Sequence, residues 1–220
     1  MHDWLIIGAS GHARSVAAVI RGTGGTVAAV SDRDPGDPAV LGAPDARVFT
    51  DDAPALDHAR EHGLAITVAI GENAVRERVA QVILATEPLR ALAHPLVAAT
   101  ATVDALADLG PLVQVLEHAH VGPGAVVGAG TIVNTAAVIE HDARVGDWSH
   151  VAPGAVLLGA AAIGEKVFLG SGARVLPGRM IGPGAVLGAG TVAVADLEGM
   201  ATYGGVPARP LHARKVPLLD

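Results

Sequence analysis

The residues with the most chemistry to offer lie in one stretch, VIEHDARVGDWSHVAPG, at positions 138–154. Glu140, His141 and Asp142 stand side by side there, and His150 follows nine residues on, in a run otherwise rich in small and aliphatic residues. An imidazole beside a carboxylate is what a general base requires, because the carboxylate orients the ring and raises its basicity toward neutral pH. The residues alone leave open whether Glu140 or Asp142 supports His141. His150, taken alone, carries no such assignment.

The other histidines have plainer readings. His58 and His62, four apart, belong on a surface helix, and His2 and His212 lie near the ends. His118 and His120 could form a metal pair, but they lack the HxxxxH spacing associated with trimeric β-helical carbonic anhydrases, so no metal is expected. With no cysteine in the chain, disulfides, thiolate nucleophiles and thiolate metal sites are excluded.

A second suggestive stretch opens the chain. DWLIIGASGHARSVAAVIRG reads as a buried strand over residues 4–7, a glycine turn, and a helix carrying Val16, Val19 and Ile20. A second strand ends at Asp32, and a third, AITVAIGEN, ends at Gly71 before an amphipathic helical stretch. Strands alternating with helices predict a small parallel α/β domain with ligands at the carboxyl ends of the strands. Gly8 and Gly11 do not complete a G-x-G-x-x-G fingerprint, yet a glycine turn feeding a helix can hold phosphate on backbone N–H groups. Asp32 is placed to meet a ribose or sugar hydroxyl.

The remainder is governed by a period of six. Every sixth residue from Val97 to Leu187 is Val, Ile or Leu, sixteen in register, and the fourth residue after each is usually small, as at Ala125, Thr131, Ala137, Ala143 and Ser149. This period fits neither a helix nor simple strand alternation. It predicts short strands joined by tight turns, three to a coil, with the aliphatic residue inward. Glycines directly after the aliphatic position, such as Gly122, Gly128 and Gly146, are read as relief of turn sterics. The divisions expected are 1–94 for a Rossmann-like domain, 95–200 for a left-handed parallel β-helix, and 201–220 for a cap or tail covering the open end.

Bulk composition narrows the function classes. The net charge of −7 argues against nucleic-acid binding. Half the residues are hydrophobic, but Trp 2, Tyr 1 and Phe 2 leave a core built from small side chains. MHDWLIIGASGH does not read as a signal peptide, and no apolar run is long enough to span a bilayer, so a cytoplasmic protein without membrane insertion is expected.

Taken together, GASGH, AIGEN, the hexapeptide block, VIEHDARVGDWSHVAPGA and GGVPAR resemble the sialic-acid O-acetyltransferase-like group of hexapeptide acyltransferases. The members most similar in pattern N-acetylate nucleotide-linked 4-amino-6-deoxy sugars. The resemblance spans essentially the whole chain and implies a homotrimer with active sites between neighbouring β-helices. It implies acetyl-CoA as co-substrate, a catalytic base at His141 with Asp142 as its acidic helper, and CoA contacts at His150, Ser171 and Ala189. It implies nucleotide-sugar contacts at Ser10, Gly11, His12, Asp32, Arg33, Gly71, Glu72 and Asn73. Arg33 stands where related sugar-binding domains carry a second acidic residue, which bears on sugar or base selectivity.

The expected reaction is direct attack of a sugar 4-amine on acetyl-CoA, with GDP-perosamine favoured over a UDP-linked 4-amino sugar. Backbone N–H groups near Gly154 or Gly159 are candidates for holding the oxyanion. The alternatives are O-acetylation of a sialic-acid-type hydroxyl, a non-catalytic sugar-nucleotide scaffold, and an NAD-dependent oxidoreductase, the last disfavoured by the incomplete fingerprint.

Overall fold

The computed structural model describes residues 2–211. The chain opens with β1 (Asp3–Ile7), a turn, and α1 (Gly11–Gly22), and continues with β2 (Thr26–Ser31) and β3 (Arg47–Phe49). There follow α2 (Asp52–His62), β4 (Ala65–Val68), α3 (Asn73–Leu84) and a short α4 (Glu87–Arg90). The four strands form one parallel sheet in the order β3-β2-β1-β4. Apolar residues on both faces of β1 explain why the sheet is covered on both sides. Trp4 and Ile6 pack with Val16 and Ile20 of α1, while Leu5 and Ile7 pack with Leu56 of α2 and Ile83 of α3. β2 stops one residue short of Asp32 and β4 three residues short of Gly71, so both positions lie beyond the strand ends.

From Leu96 the chain winds into a left-handed parallel β-helix of seventeen two-residue strands, Leu96–Val97 through Val192–Ala193. Every aliphatic position of the six-residue period is the second residue of a strand, and all from Val115 to Leu187 are buried in a single core. Ala193 extends the series by one further rung with a small residue in the aliphatic place. Parallel pairing at an offset of 18 residues, as in Val138↔Val156 and Ile139↔Leu157, stacks the coils into three faces. The first face begins at Leu96–Val97, the second at Thr102–Val103 and the third at Asp108–Leu109. The small residues that complete each unit, Ala125 to Ala161 among them, are fully buried at the corners.

The glycines after the aliphatic position have a different purpose from the one expected. Gly146 does not adopt a positive φ; a Cβ there would run into the Gly164–Glu165 backbone of the next coil. Close stacking of coils, not turn geometry, requires glycine at this place. The left-handed residue of each corner lies two positions later, and non-glycine residues hold it at Asp142, Trp148 and Lys166.

Thr202–Gly204 pairs in parallel with Val186–Leu187, and Arg209–Pro210 folds back against it, so the first face runs past residue 200. Tyr203 and Ala208 close the solenoid core from this end. The rest of the expected cap, residues 212–220 with His212, lies outside the described residues. The front sheet docks on the first face: Leu96, Ala98 and Leu116 join the core beneath α1, and Leu112 and Trp148 join the other.

Candidate active site

His141 sits at a corner between the second and third faces. Its Nδ1 lies 2.9 Å from Asp142 Oδ2, so of the two flanking carboxylates Asp142 is the one that reaches the ring. The local fold explains the reach. Asp142 holds φ 60°, a left-handed conformation that Asp tolerates better than most side chains, and its carboxylate lies over Gly124 of the preceding coil. A side chain at Gly124 would strike Asp142 Oδ1 at 2.8 Å. With Nδ1 engaged, Nε2 is the free ring nitrogen, on a side chain 60% exposed. One coil on, Gly159 faces that nitrogen so closely that a Cβ there would lie 2.5 Å from Nε2.

The two candidate oxyanion donors separate on their hydrogen bonds. The Gly154 N–H donates to the Thr135 carbonyl at 3.0 Å and is committed to the fold. The Gly159 N–H donates to no protein acceptor among the described residues.

His150 lies on the first face, beneath the front domain and away from His141. Its Nε2 accepts from Asn134 Nδ2 at 3.0 Å, an orientation supported by Asn134 Oδ1 accepting from the Thr135 N–H, so the ring carries its proton on Nδ1. That Nδ1 is buried and points toward the Gly71 backbone without reaching hydrogen-bond geometry. Burial, aided by the nearby Arg76 and His12, holds the His150 pKa down to about 4 against the pull of the Gly71 backbone, so the ring is neutral at physiological pH. Phe168 packs edge-on against it, with ring centroids 5.2 Å apart.

His12, in the first turn of α1, faces the same cluster. Its Nε2 donates to Gln114 Oε1 at 2.8 Å, while the fully buried Gln114 gives its own N–H groups to Thr67 Oγ1 and the Val68 carbonyl. Burial lowers the His12 pKa, the Gln114 bond opposes this, and Arg76 lowers it further.

The other expected substrate residues divide into two groups. Asp32 and Arg33 line a cavity of about 600 Å³ at the carboxyl ends of the front strands, together with Gly8, Thr50, Asp51, Asp52, Ile70 and Arg78. That volume suits a nucleotide-sized ligand. Asp32 is also part of its own scaffold: Oδ2 accepts from the Ala9 N–H at 2.6 Å and Oδ1 from the Asp34 N–H at 3.1 Å. Ser10 and Gly11 form the exposed turn beside it. Gly71 and Asn73 face the β-helix instead, Asn73 Nδ2 meeting the Lys166 and Val167 carbonyls, and Glu72 caps α3 by accepting from the Ala74 and Val75 N–H groups. Thr50, Asp51, Asp52 and Arg78 were missed by sequence reasoning. The first three follow a three-residue strand with no readable period, and Arg78 looked like an ordinary polar residue of a helix.

Ser171 and Ala189 are exposed and stack one coil apart at the corner between the first and second faces, the Gly190 N–H reaching the Ser171 carbonyl at 2.9 Å. Asn134, which holds His150, begins the equivalent turn two coils earlier. Within one chain this edge and the His141 edge are separated by the whole second face. Among the described residues no group of three or more metal-ligating side chains converges, and no helix is long and apolar enough to cross a membrane.

Comparison with known proteins agrees with this architecture. Residues 3–83 match the family model for the PglD N-terminal domain. No curated protein sequence matches. Among solved structures, PerB from Caulobacter crescentus, in complex with CoA and GDP-perosamine, is 37% identical over 96% of this chain and 98% of its own, with a TM-score of 0.84. Perosamine N-acetyltransferase from the same organism, carrying a histidine-to-asparagine substitution and bound to the same two ligands, is 36% identical over 96% and 98%, TM-score 0.84. The acetyltransferase domain of PglB from Neisseria gonorrhoeae, in complex with acetyl coenzyme A, is 33% identical over 96% and 99%, TM-score 0.84. Full-length similarity at this level, joined to the Rossmann-like front domain and the left-handed β-helix, identifies the chain as an acetyl-CoA-dependent nucleotide-sugar N-acetyltransferase belonging to the PglD-type hexapeptide-repeat family.

Proposed function

We propose that the chain acetylates the 4-amino group of a nucleotide-linked 4-amino-4,6-dideoxy sugar, GDP-perosamine first and a UDP-linked 4-amino sugar second, with His141 as general base. The observation that carries this reading is the His141–Asp142 contact at 2.9 Å, which leaves Nε2 free opposite Gly159. The preference for GDP-perosamine draws its support from the relatives that hold it alongside CoA.

The neutral sugar amine attacks the thioester carbonyl. A C–N bond forms, His141 Nε2 takes the amine proton, and the developing oxyanion meets the Gly159 N–H. Collapse breaks the C–S bond, and the proton passes from His141 to the departing CoA thiolate. Asp142 holds the imidazole and stabilises its protonated state. No covalent acyl-enzyme is involved.

The nucleotide occupies the strand-end cavity, with Arg33 and Arg78 offering cations for its diphosphate and Asp32 an acceptor for a hydroxyl. Ser10 and Gly11 lie at the turn beside that cavity, and His12, Gly71, Glu72 and Asn73 lie between it and the β-helix, on the path the sugar takes toward the acetyl donor. CoA lies along the Asn134–His150 edge, Ser171 and Ala189. His141 and that edge stand at opposite margins of the second face, whose outward positions include the half-buried Val138, Val156 and Val192. A homotrimer packed through these faces brings one chain's base to its neighbour's CoA edge. Residues 1–94 act as the nucleotide-sugar domain, 95–200 as the acyltransferase β-helix and, among the described residues, 201–211 as the cap.

The test is CoA release from acetyl-CoA with GDP-perosamine or a UDP-linked 4-amino sugar, alongside the His141→Ala variant. Turnover of the GDP sugar that drops by about 10²- to 10⁴-fold in the variant is expected. Undiminished turnover in His141→Ala, or no acceptance of any 4-amino sugar nucleotide, refutes the reading.

A further inference from the structure

We propose that Arg76 is a positioning residue of this transferase: it clamps the strand end that carries the nucleotide sugar onto the β-helix and so sets the acceptor's distance from the acetyl donor. The inference rests on the reading of residues 70–73 as part of the acceptor site.

Arg76 is 1% exposed and has no carboxylate within ion-pair distance among the described residues. Its guanidinium is bonded on two sides. Toward the solenoid, Nε donates to the Gly130 carbonyl at 2.6 Å, and Nη2 donates to Trp148 and Ser149 carbonyls at 2.9 and 3.0 Å. Toward the front domain, Nη1 donates to the Ile70 and Gly71 carbonyls at 3.0 and 3.1 Å, and Nη2 to Asn73 Oδ1 at 2.8 Å. Six acceptors therefore surround five N–H groups. Burial lowers its pKa to about 10, which leaves it charged at neutral pH.

The contacts follow the pitch of the solenoid. Asn73, Arg76 and Glu77 lie on one side of α3 at i, i+3 and i+4. They meet Gly130, Trp148 and Lys166, equivalent corner residues of three successive coils spaced by 18. The Lys166–Glu77 ion pair, at 2.9 Å, completes the row. An isolated charge is expensive to bury, and well-packed apolar residues often serve stability as well. What an apolar side chain cannot do is fix two backbones in register through six directional bonds. Ile70 lines the strand-end cavity, and Ser149 directly precedes the rung that carries His150. One rigid group thus joins the wall of the acceptor cavity to the coil beside the CoA edge.

The experiment compares wild type with Arg76→Lys and Arg76→Gln in the full chain, following thermal unfolding, KM for each substrate, and calorimetric binding of acetyl-CoA. Lysine keeps the charge, but a single ammonium cannot bridge both sides of the joint. The expected result is a folded variant with acetyl-CoA affinity within about twofold of wild type and kcat/KM for the nucleotide sugar reduced on the order of 10²-fold, as for a misplacement of about 1 Å. Should these variants fail to fold, the Glu77→Ala/Lys166→Ala double variant loosens the same joint at its exposed end. It should raise KM for the sugar about two- to threefold and leave that for acetyl-CoA unchanged, in keeping with the small worth of a surface pair. Lower stability with both KM values unchanged, or equal losses toward both substrates, overturns the inference. Absence of sugar-nucleotide turnover in wild type instead refutes the functional reading, and the inference with it.

Discussion

Replacing Gly159 by Ala tests the proposed catalytic geometry while leaving His141 and Asp142 themselves unmutated. The new Cβ would lie 2.5 Å from His141 Nε2 and 2.7 Å from Cε1, whereas ordinary van der Waals contact begins near 3.4 Å. The ring tip must therefore retreat by roughly 1 Å, a displacement that costs about 10² in rate when the group must meet a reacting atom. Gly159 does not have a positive φ, so Ala fits its backbone, and His141 is exposed enough to swing toward solvent. Stability should change by less than about 1 kcal/mol, since the strain is relieved by an exposed side chain. The assay is steady-state CoA release at saturating acetyl-CoA, paired with thermal unfolding. A kcat reduced about 100-fold at nearly unchanged Tm is expected. Wild-type kcat in Gly159→Ala would show that Nε2 is not held at the reacting centre, and the base assignment would fall with it.

Asp142→Asn keeps a side chain that tolerates the left-handed corner but removes the charged acceptor beside Nδ1; kcat should fall roughly tenfold or more at nearly unchanged Tm, and wild-type kcat would count against Asp142 as the helper. His150 is neutral in the fold, with a pKa near 4, but ordinary in the unfolded chain, so the unfolded state binds more protons between about pH 6.5 and 4. Stability is therefore full above that window and declines as pH falls through it, by up to ~3 kcal/mol from this residue, and the lowered His12 pKa adds in the same direction. Denaturant unfolding of wild type and His150→Gln at pH 7 and pH 5 should show a weaker pH dependence in the variant; equal dependence refutes the assignment. Gly146→Ala, in contrast to Gly159→Ala, drives a Cβ into fixed backbone of the next coil, so a loss of about 1–3 kcal/mol in chemical denaturation is expected.

The division between what was readable in the sequence and what was not follows the range of the forces involved. Inward residues of the solenoid recur every six positions because each coil rests on the last, so a local period revealed seventeen rungs except for the one that ends in Ala193. The His141–Asp142 pair was equally local. The cavity wall from Thr50 to Asp52 escaped because β3 has only three residues and exposed Arg47 and Val48 give it no alternation. Arg76 lay hidden in AVRERVAQVI, where it resembles any solvent-facing residue of an amphipathic helix; its partners on the β-helix stand 54 to 73 positions away. A faint signal did exist. Outward positions of the first face read Leu96, Gln114, Ile132, His150 and Phe168, bulkier and less charged than a face left to water would be.

The placement of the proposed base, His141, on a solenoid corner has a mechanical consequence. The stacking distance of adjacent coils is set by parallel strand pairing at about 4.8 Å, a spacing that side chains adjust very little. His141 and Gly159 are related by that spacing, and Asp142 is pinned over Gly124 by the same stack. His141, Asp142 and Gly159 are therefore fixed by the pitch of the fold rather than by a mobile loop. The cavity proposed for the acceptor has no such guarantee, because it belongs to a separate sheet that meets the β-helix through α3, α1 and Gln114. On the proposed reading, changes in acceptor preference should consequently arise in the strand-end cavity and in that joint, while the His141 corner stays constant.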